Sequence, residues 1–127
     1  MNTRDDQDQE VAVVALAADL MFASRIRGAA QAVGREVKLA TGEASLVAAV
    51  HAGASLVLLD LGRRGDMPAL IRRLKEDPAT AAATVVAFGS HVDADALTAA
   101  RAAGADRVMA RSAFVKVLPE LLTAAGA

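Results

Sequence analysis

The sequence has no cysteine, tryptophan or tyrosine, and it has only three phenylalanines and two histidines. Without cysteine, the chain has no disulfide scaffold, cysteine-based zinc site or thiol nucleophile, and two histidines argue against a multi-histidine metal centre. No apolar run approaches the roughly 18 to 20 residues of a membrane span. The first ten residues are polar and acid-rich, unlike a signal peptide. We therefore expect a cytoplasmic protein with no membrane partner.

The chain also has no large excess of either positive or negative charge, because 14 basic and 15 acidic residues give a formal net charge of −1. A balanced chain has no overall field to attract nucleic acid, so no nucleic-acid partner is expected. What the sequence has in abundance is alanine, with 32 among 127 residues, and 54% of the chain is hydrophobic. This length and composition predict one domain with an aliphatic core.

The chain divides into a predicted disordered N-terminal arm over residues 1–10 and a single domain over residues 11–125. Within the domain, short apolar runs alternate with alanine-rich amphipathic stretches. The predicted strands are 11–16, 36–39, 56–59, 84–88 and 107–110, and the predicted helices are 20–33, 44–52, 68–77, 93–103 and 112–124. Asp66 and Ser112 are the predicted N-caps of the third and fifth helices. Strands that are apolar on both faces and alternate with helices indicate an α/β fold with one doubly wound parallel sheet.

The functional crevice of such a fold lies at the carboxyl ends of the strands. Asp60 stands there, directly after the most apolar strand, which is a costly place for a charge. A carboxylate in this position can simply cap the following turn through backbone N–H groups, or it can serve a function. Composition alone leaves both interpretations open.

Four segments in the right order resemble the receiver domains of response regulators. They are Ser55–Leu61, Met67–Lys75, Glu76–Thr80 and Ala100–Asp106, which are similar to the third strand, the third helix, the loop after it and the turn into the fifth strand. The resemblance covers about residues 11–125. It implies a flavodoxin-like sheet with strand order 2-1-3-4-5 and five helices, with Asp60 in the phosphoacceptor position.

The magnesium-binding positions of the family do not match. Its two acidic residues after the first strand fall on Ala17 and Ala18, and Asp19 comes one place too late and is the predicted N-cap of the next helix. Magnesium is usually held by one or two carboxylates together with waters and phosphate oxygens. A site made of Asp60 and a displaced Asp19 would be weak. We therefore expect no metal and no cofactor, with Mg²⁺ reserved for the case in which Asp60 is phosphorylated.

The switch positions of the family are also altered. The switch hydroxyl falls on Gly89, and the adjacent Ser90 is a candidate cap for the following helix. The switch aromatic ring falls on Val108. The lysine after the fifth strand falls on Arg111, whose guanidinium is not equivalent to a compact ammonium. We expect Asp60 and Arg111 to form a permanent ion pair.

These departures predict a degenerate receiver, a signalling module that acts by protein–protein contact and is not an enzyme. The alternative is a phosphorylatable regulator with phosphoacceptor Asp60. An anti-sigma-antagonist-like domain is a third possibility, but the serine expected at a following helix start is missing, since Met67 and Pro68 stand there. The sequence also contains no phosphate-binding glycine loop and no nucleophile elbow.

The predicted partner surface lies between Asp93 and Ala125, the face that the resemblance assigns to dimers and partners. Its predicted contact residues are Ala96, Ala99, Ala100, Ala103, Phe114 and Leu118. Because the receiver-like segment takes up almost all of this sequence, we expect the partner to be another signalling protein or a second copy of this chain. Arg63 and Arg64 are expected in a solvated loop, with an acidic partner or Asp66 as possible ion-pair partners.

Overall fold

Five parallel strands form one sheet in the order β2-β1-β3-β4-β5. The computed structural model describes residues 11–125, so the arm predicted over residues 1–10 lies outside the described residues. The strands are β1 (Val13–Leu16), β2 (Val37–Leu39), β3 (Leu56–Asp60), β4 (Thr84–Gly89) and β5 (Arg107–Ala110), and the helices are α1 (Leu20–Ala32), α2 (Glu43–His51), α3 (Met67–Glu76), α4 (Ala94–Ala103) and α5 (Arg111–Ala124). The predicted fold class, strand order and number of helices are confirmed.

Helices cover both faces of the sheet, and alternate strand residues point into two separate cores. In β1, Val14 and Leu16 face the layer formed by α2, α3 and α4. Val13 and Ala15 face α1 and α5. All four are fully buried, which explains why the strand reads as an unbroken apolar run. No helix within residues 11–125 has the length and apolar character needed to cross a membrane.

Aspartate side chains cap the starts of three helices, α1 by Asp19, α3 by Asp66 and α4 by Asp93. Asp66 accepts a hydrogen bond from the Ala69 N–H at the start of α3, as predicted. The predicted Ser112 cap is wrong, because β5 ends at Ala110 and α5 begins at the next residue, with Ala110 as a cap that offers no side-chain bond. Ser112 therefore lies inside the first turn. Pro119 lies inside α5, which nevertheless continues to Ala124.

An ion pair ties three elements together at the amino edge of the sheet. The Lys75 ammonium lies 2.6 Å from a carboxylate oxygen of Asp106 and donates a hydrogen bond of 2.7 Å to the Ala83 carbonyl. The Val85 N–H donates to the same carboxylate oxygen at 2.7 Å. Burial raises the pKa of Asp106, but the hydrogen bonds from Lys75 and from the Val85 N–H outweigh burial and hold the pKa below its ordinary value. The carboxylate thus joins α3, β4 and the turn before β5.

Candidate functional site at the carboxyl edge of the sheet

Asp60 is the last residue of β3 and is fully buried. One carboxylate oxygen, Oδ2, accepts a hydrogen bond of 3.0 Å from the Ala18 N–H. The other, Oδ1, accepts one of 2.9 Å from the Gly62 N–H and pairs with Arg111 Nη2, also at 2.9 Å. The structure therefore contains the local turn cap, which the sequence left open against a functional role, and also the expected ion pair with Arg111. Three donors on a buried carboxylate compensate for the loss of its hydration.

Arg111 is the first residue of α5, and its side chain crosses the edge of the sheet to reach Asp60. Its guanidinium carbon lies 5.2 Å from the centre of the Phe22 ring, a cation–π distance. The side chain is 40% exposed, whereas that of Asp60 is fully buried. The Nε atom of Arg111 is buried with no hydrogen-bond partner among the described residues. The aromatic ring and the carboxylate together fix the guanidinium in place.

The three phenylalanines of the chain form a single cluster beneath this ion pair. The rings of Phe88 and Phe114 are stacked with their centroids 3.9 Å apart, and the Phe22 ring lies 5.2 Å from Phe88 and 6.0 Å from Phe114. Sequence reasoning missed this cluster. A usable signal was present, because the scarce rings stand at the start of α1, near the end of β4 and in the first turn of α5, all at the carboxyl edge.

The residues in the magnesium positions offer few ligands. Ala17 and Ala18 carry no carboxylate, and the side chain of Asp19 accepts a hydrogen bond of 2.8 Å from the Phe22 N–H as the cap of α1. The predicted cap is thereby confirmed. Within residues 11–125, no group of three or more histidine, cysteine, aspartate or glutamate residues is placed to hold a metal ion.

Arg63 is bound rather than solvated, contrary to expectation. Its guanidinium donates a hydrogen bond of 3.0 Å to the Ala17 carbonyl and another of 2.7 Å to the Thr41 carbonyl. It does not pair with Asp66, whose carboxylate caps α3. Arg63 therefore ties the loop after Asp60 to the ends of β1 and β2. A sequence gives no sign of such bonds, because backbone carbonyls are present at every residue.

The positions that the family resemblance assigns to the switch hold Gly89 and Val108, with Ser90 next to Gly89. Gly89 is buried at the end of β4, and a Cβ atom added there would lie 3.3 Å from Leu61 Cβ. Ser90 is exposed and accepts a weak bond of 3.4 Å from the Val92 N–H. Its predicted role as a helix cap is wrong, because Asp93 caps α4 through the Ala96 N–H. Val108 packs half-buried against the α2–α3–α4 core.

Four of the six predicted partner-contact residues are buried within the chain itself. Ala100, Ala103, Phe114 and Leu118 are between 0% and 7% exposed. The helical spacing of these alanine and apolar residues reflects the packing of α4 and α5 onto the sheet. These four residues therefore cannot contact a partner directly. Ala96 and Ala99 are half-exposed.

Comparison with known proteins gives structural neighbours only. No family model matches the sequence, and no curated protein matches it. The fold is similar to the signal receiver domain of a DNA-binding response regulator from Colwellia psychrerythraea, with 22% identity over 87% of this chain and 96% of that chain and a TM-score of 0.72. A response-regulator receiver domain from Rhodospirillum rubrum shares 23% identity over 87% and 92% of the two chains, with a TM-score of 0.68.

The chemotaxis response regulator CheY4 of Vibrio cholerae has a TM-score of 0.73 at 14% identity, over 87% of this chain and 93% of that chain. All three likenesses extend over 87% of this chain and concern its fold. The chain therefore has the fold of a response-regulator receiver domain.

Proposed function

We propose that this chain is a degenerate receiver that signals by protein–protein contact, is not an enzyme and is not switched by magnesium-dependent phosphorylation of Asp60. The observation that carries the proposal is the ion pair between Arg111 and the fully buried Asp60, with Nη2 and Oδ1 only 2.9 Å apart. The positive charge beside the Asp60 carboxylate is thus provided by the chain itself, through the Arg111 guanidinium.

Phosphoryl transfer to Asp60 requires a carboxylate oxygen free to attack phosphorus and positive charge to balance the transferred group. Both oxygens of Asp60 are already hydrogen-bonded, Oδ2 to the Ala18 N–H and Oδ1 to Gly62 and Arg111. A magnesium ion would need oxygen ligands beside Asp60. Ala17 and Ala18 provide no carboxylate, and that of Asp19 caps α1. The requirement for a balancing metal charge is therefore poorly met.

One observation favours the alternative, a phosphorylatable regulator. Arg111 already lies beside Asp60, and a guanidinium can bind phosphate oxygens by two parallel hydrogen bonds. If the Arg111 side chain turned from the carboxylate to an incoming phosphoryl group, it would supply part of the missing charge. The two functions therefore differ in a measurable product, an acyl phosphate on Asp60.

Intact-mass spectrometry after incubation with acetyl phosphate and Mg²⁺ tests the proposal. In the alternative, an Asp60 oxygen attacks phosphorus, an acyl-phosphate bond forms and acetate leaves. We expect the mass of the protein to stay unchanged. The Asp60→Asn variant is the matched control, because any modification elsewhere persists in it. One added phosphoryl group that is absent from this variant would overturn the proposal.

The partner surface that we propose is the outer side of α4, β5 and α5. Arg107, Lys116 and Glu120 are exposed there, and none of them forms an ion pair within residues 11–125. Val108 of β5 and Val115 of α5 are half-buried. Apolar side chains surrounded by charges of both signs are typical of protein interfaces. The partner is another protein or a second copy of this chain.

Sedimentation velocity over a range of concentrations tests self-association through this surface. We expect a dimer that dissociates on dilution and is weakened about tenfold or more by Arg107→Glu, because a like charge is placed beside Glu120 at the interface. Arg72→Glu, an exposed arginine on α3, is the matched control and should leave the association unchanged. A monomer at every concentration, or equal effects of the two variants, would contradict self-association through β5.

A further inference from the structure

A cavity of about 460 Å³ lies beside the Asp60 site, between the carboxyl ends of β1 and β2 and the start of α1. Its volume is within the range of small-molecule sites in proteins. Most of its wall is alanine and leucine, and its polar lining comes from Asp19, Arg27, Thr41 and Arg63. The cavity is thus mostly apolar, with a few polar groups in its lining, as is common for ligand sites.

The charges of this cavity favour an anion. Arg27 and Arg63 contribute two guanidinium groups to its wall. The arginines that form side-chain hydrogen bonds within residues 11–125 are Arg35, Arg63, Arg73 and Arg111, so Arg27 is available among the described residues. The single carboxylate of the lining, that of Asp19, accepts the Phe22 N–H.

Two alanines also favour an anion in this cavity, because they carry no charge. Ala17 and Ala18 line the cavity. A carboxylate at either position would take up space and repel an anion, whereas a methyl group leaves the volume open. The backbone carbonyl of Ala17 also holds the Arg63 guanidinium at the cavity wall, at 3.0 Å. The same two alanines that provide no carboxylate for magnesium therefore leave this cavity without two negative charges.

We propose that this cavity binds a small organic anion, with a carboxylate or phosphate head between Arg27 and Arg63 and an apolar body against Leu20, Ala23 and Leu39. This site is separate from Asp60 and does not depend on the function proposed above. Arg63 belongs to the loop that follows Asp60, so an occupied cavity would be in contact with that loop.

A neighbouring cavity is the competing location. It has a volume of about 290 Å³, shares Arg27, and is also lined by Arg35, Glu36 and Lys38. Each cavity has one arginine engaged by two backbone carbonyls, Arg35 in the neighbouring one and Arg63 here, and each has one carboxylate, Glu36 there and Asp19 here. The cavity with Arg63 is the larger, and its alanine and leucine walls suit the apolar body of an organic anion. Lys38, which lines only the neighbouring cavity, distinguishes the two.

NMR titration with phenylphosphonate tests the proposal, because this probe has an anionic head, an apolar ring and a P–C bond that cannot transfer its head group. We expect saturable amide shifts over residues 17–23 and 39–41, with a dissociation constant of about 1 mM or lower. Benzoate shows whether a carboxylate head suffices. Phenol, which lacks the charge, and inorganic phosphate, which lacks the ring, should bind more weakly by about tenfold.

Four variants decide where the probe binds. Arg27→Gln should weaken phenylphosphonate about tenfold, because it removes a charge-assisted hydrogen bond, and Ala23→Leu should abolish binding by filling the cavity. Arg25→Gln, on the exposed side of α1, is the matched control and should have no effect. Each variant is first checked for an unchanged fold by its amide spectrum. The absence of saturable shifts with both phenylphosphonate and benzoate would overturn the proposal, as would an equal loss of affinity in Lys38→Gln or Arg25→Gln.

Discussion

Replacing Arg111 with methionine is expected to lower the free energy of unfolding by about 2 to 4 kcal/mol. Removing one partner of a buried ion pair typically costs about 3 to 5 kcal/mol, because the remaining charge stays buried without compensation. Here the remaining group is the Asp60 carboxylate. Its side chain is 0% exposed to water, and among the described residues it pairs with no cation other than Arg111. The two backbone N–H bonds to its carboxylate reduce the cost. Methionine keeps an apolar contact with the Phe22 ring, so the change isolates the charge.

The reciprocal variant should be milder. Asp60→Ala leaves Arg111, whose side chain is 40% exposed and can turn to water, so we expect a loss of about 1 to 2 kcal/mol. Adding Arg111→Met to Asp60→Ala should then cost much less than it costs alone. Arg111→Lys keeps the positive charge and is the matched control.

Urea unfolding followed by far-ultraviolet circular dichroism measures these differences, since the chain has no tryptophan or tyrosine for fluorescence. Additive effects of Asp60→Ala and Arg111→Met would show that the two side chains are not coupled. An Arg111→Met variant as stable as the parent would show that the pair contributes nothing to folding.

Replacing Phe114 with alanine is expected to cost about 3 to 5 kcal/mol of unfolding free energy. Phe114 is fully buried and stacked on Phe88, with ring centroids 3.9 Å apart. Its removal leaves a cavity in the core between the sheet and α5, which is otherwise filled by Phe88, Phe22 and aliphatic side chains. Because the total stability of a domain is about 5 to 15 kcal/mol, this one change consumes a large part of it.

Phe114→Leu is the matched control for the ring, since it keeps an apolar side chain of similar size and should cost about 1 kcal/mol. The near-ultraviolet circular dichroism of the parent comes from phenylalanine alone, and all three rings lie in this cluster. Either variant should therefore reduce that signal strongly. Equal stabilities of the alanine and leucine variants would contradict close packing of the ring.

Much of the fold could be predicted because the local signals agree with one another. The apolar runs of β1 and β3 are buried on both faces, and Asp19 and Asp66 cap helices through backbone N–H groups three residues further along the chain. The pairing of Asp60 with Arg111 could also be predicted, because the two residues stand at the carboxyl ends of β3 and β5, at the same edge of the sheet.

The rest depended on geometry that residue types do not encode. The direct passage from β5 into α5 placed Ser112 inside a helix instead of before it. The Arg63 guanidinium donates to two backbone carbonyls, and no pattern of side chains in the sequence predicts such bonds. The alanines of α4 have the same spacing whether they face a partner or the sheet, and only the packing shows that Ala100 and Ala103 face the sheet.

The Arg111 guanidinium determines how the Asp60 site responds to the concentration of free metal ions in the solution. A bound metal ion exchanges with the solution, and its occupancy follows the concentration of free ion. Arg111 is part of the chain, so its guanidinium cannot dissociate into the solution. Its counter-charge for Asp60 is therefore present in every molecule from the moment it folds, and neither chelation nor a change in free magnesium can remove it.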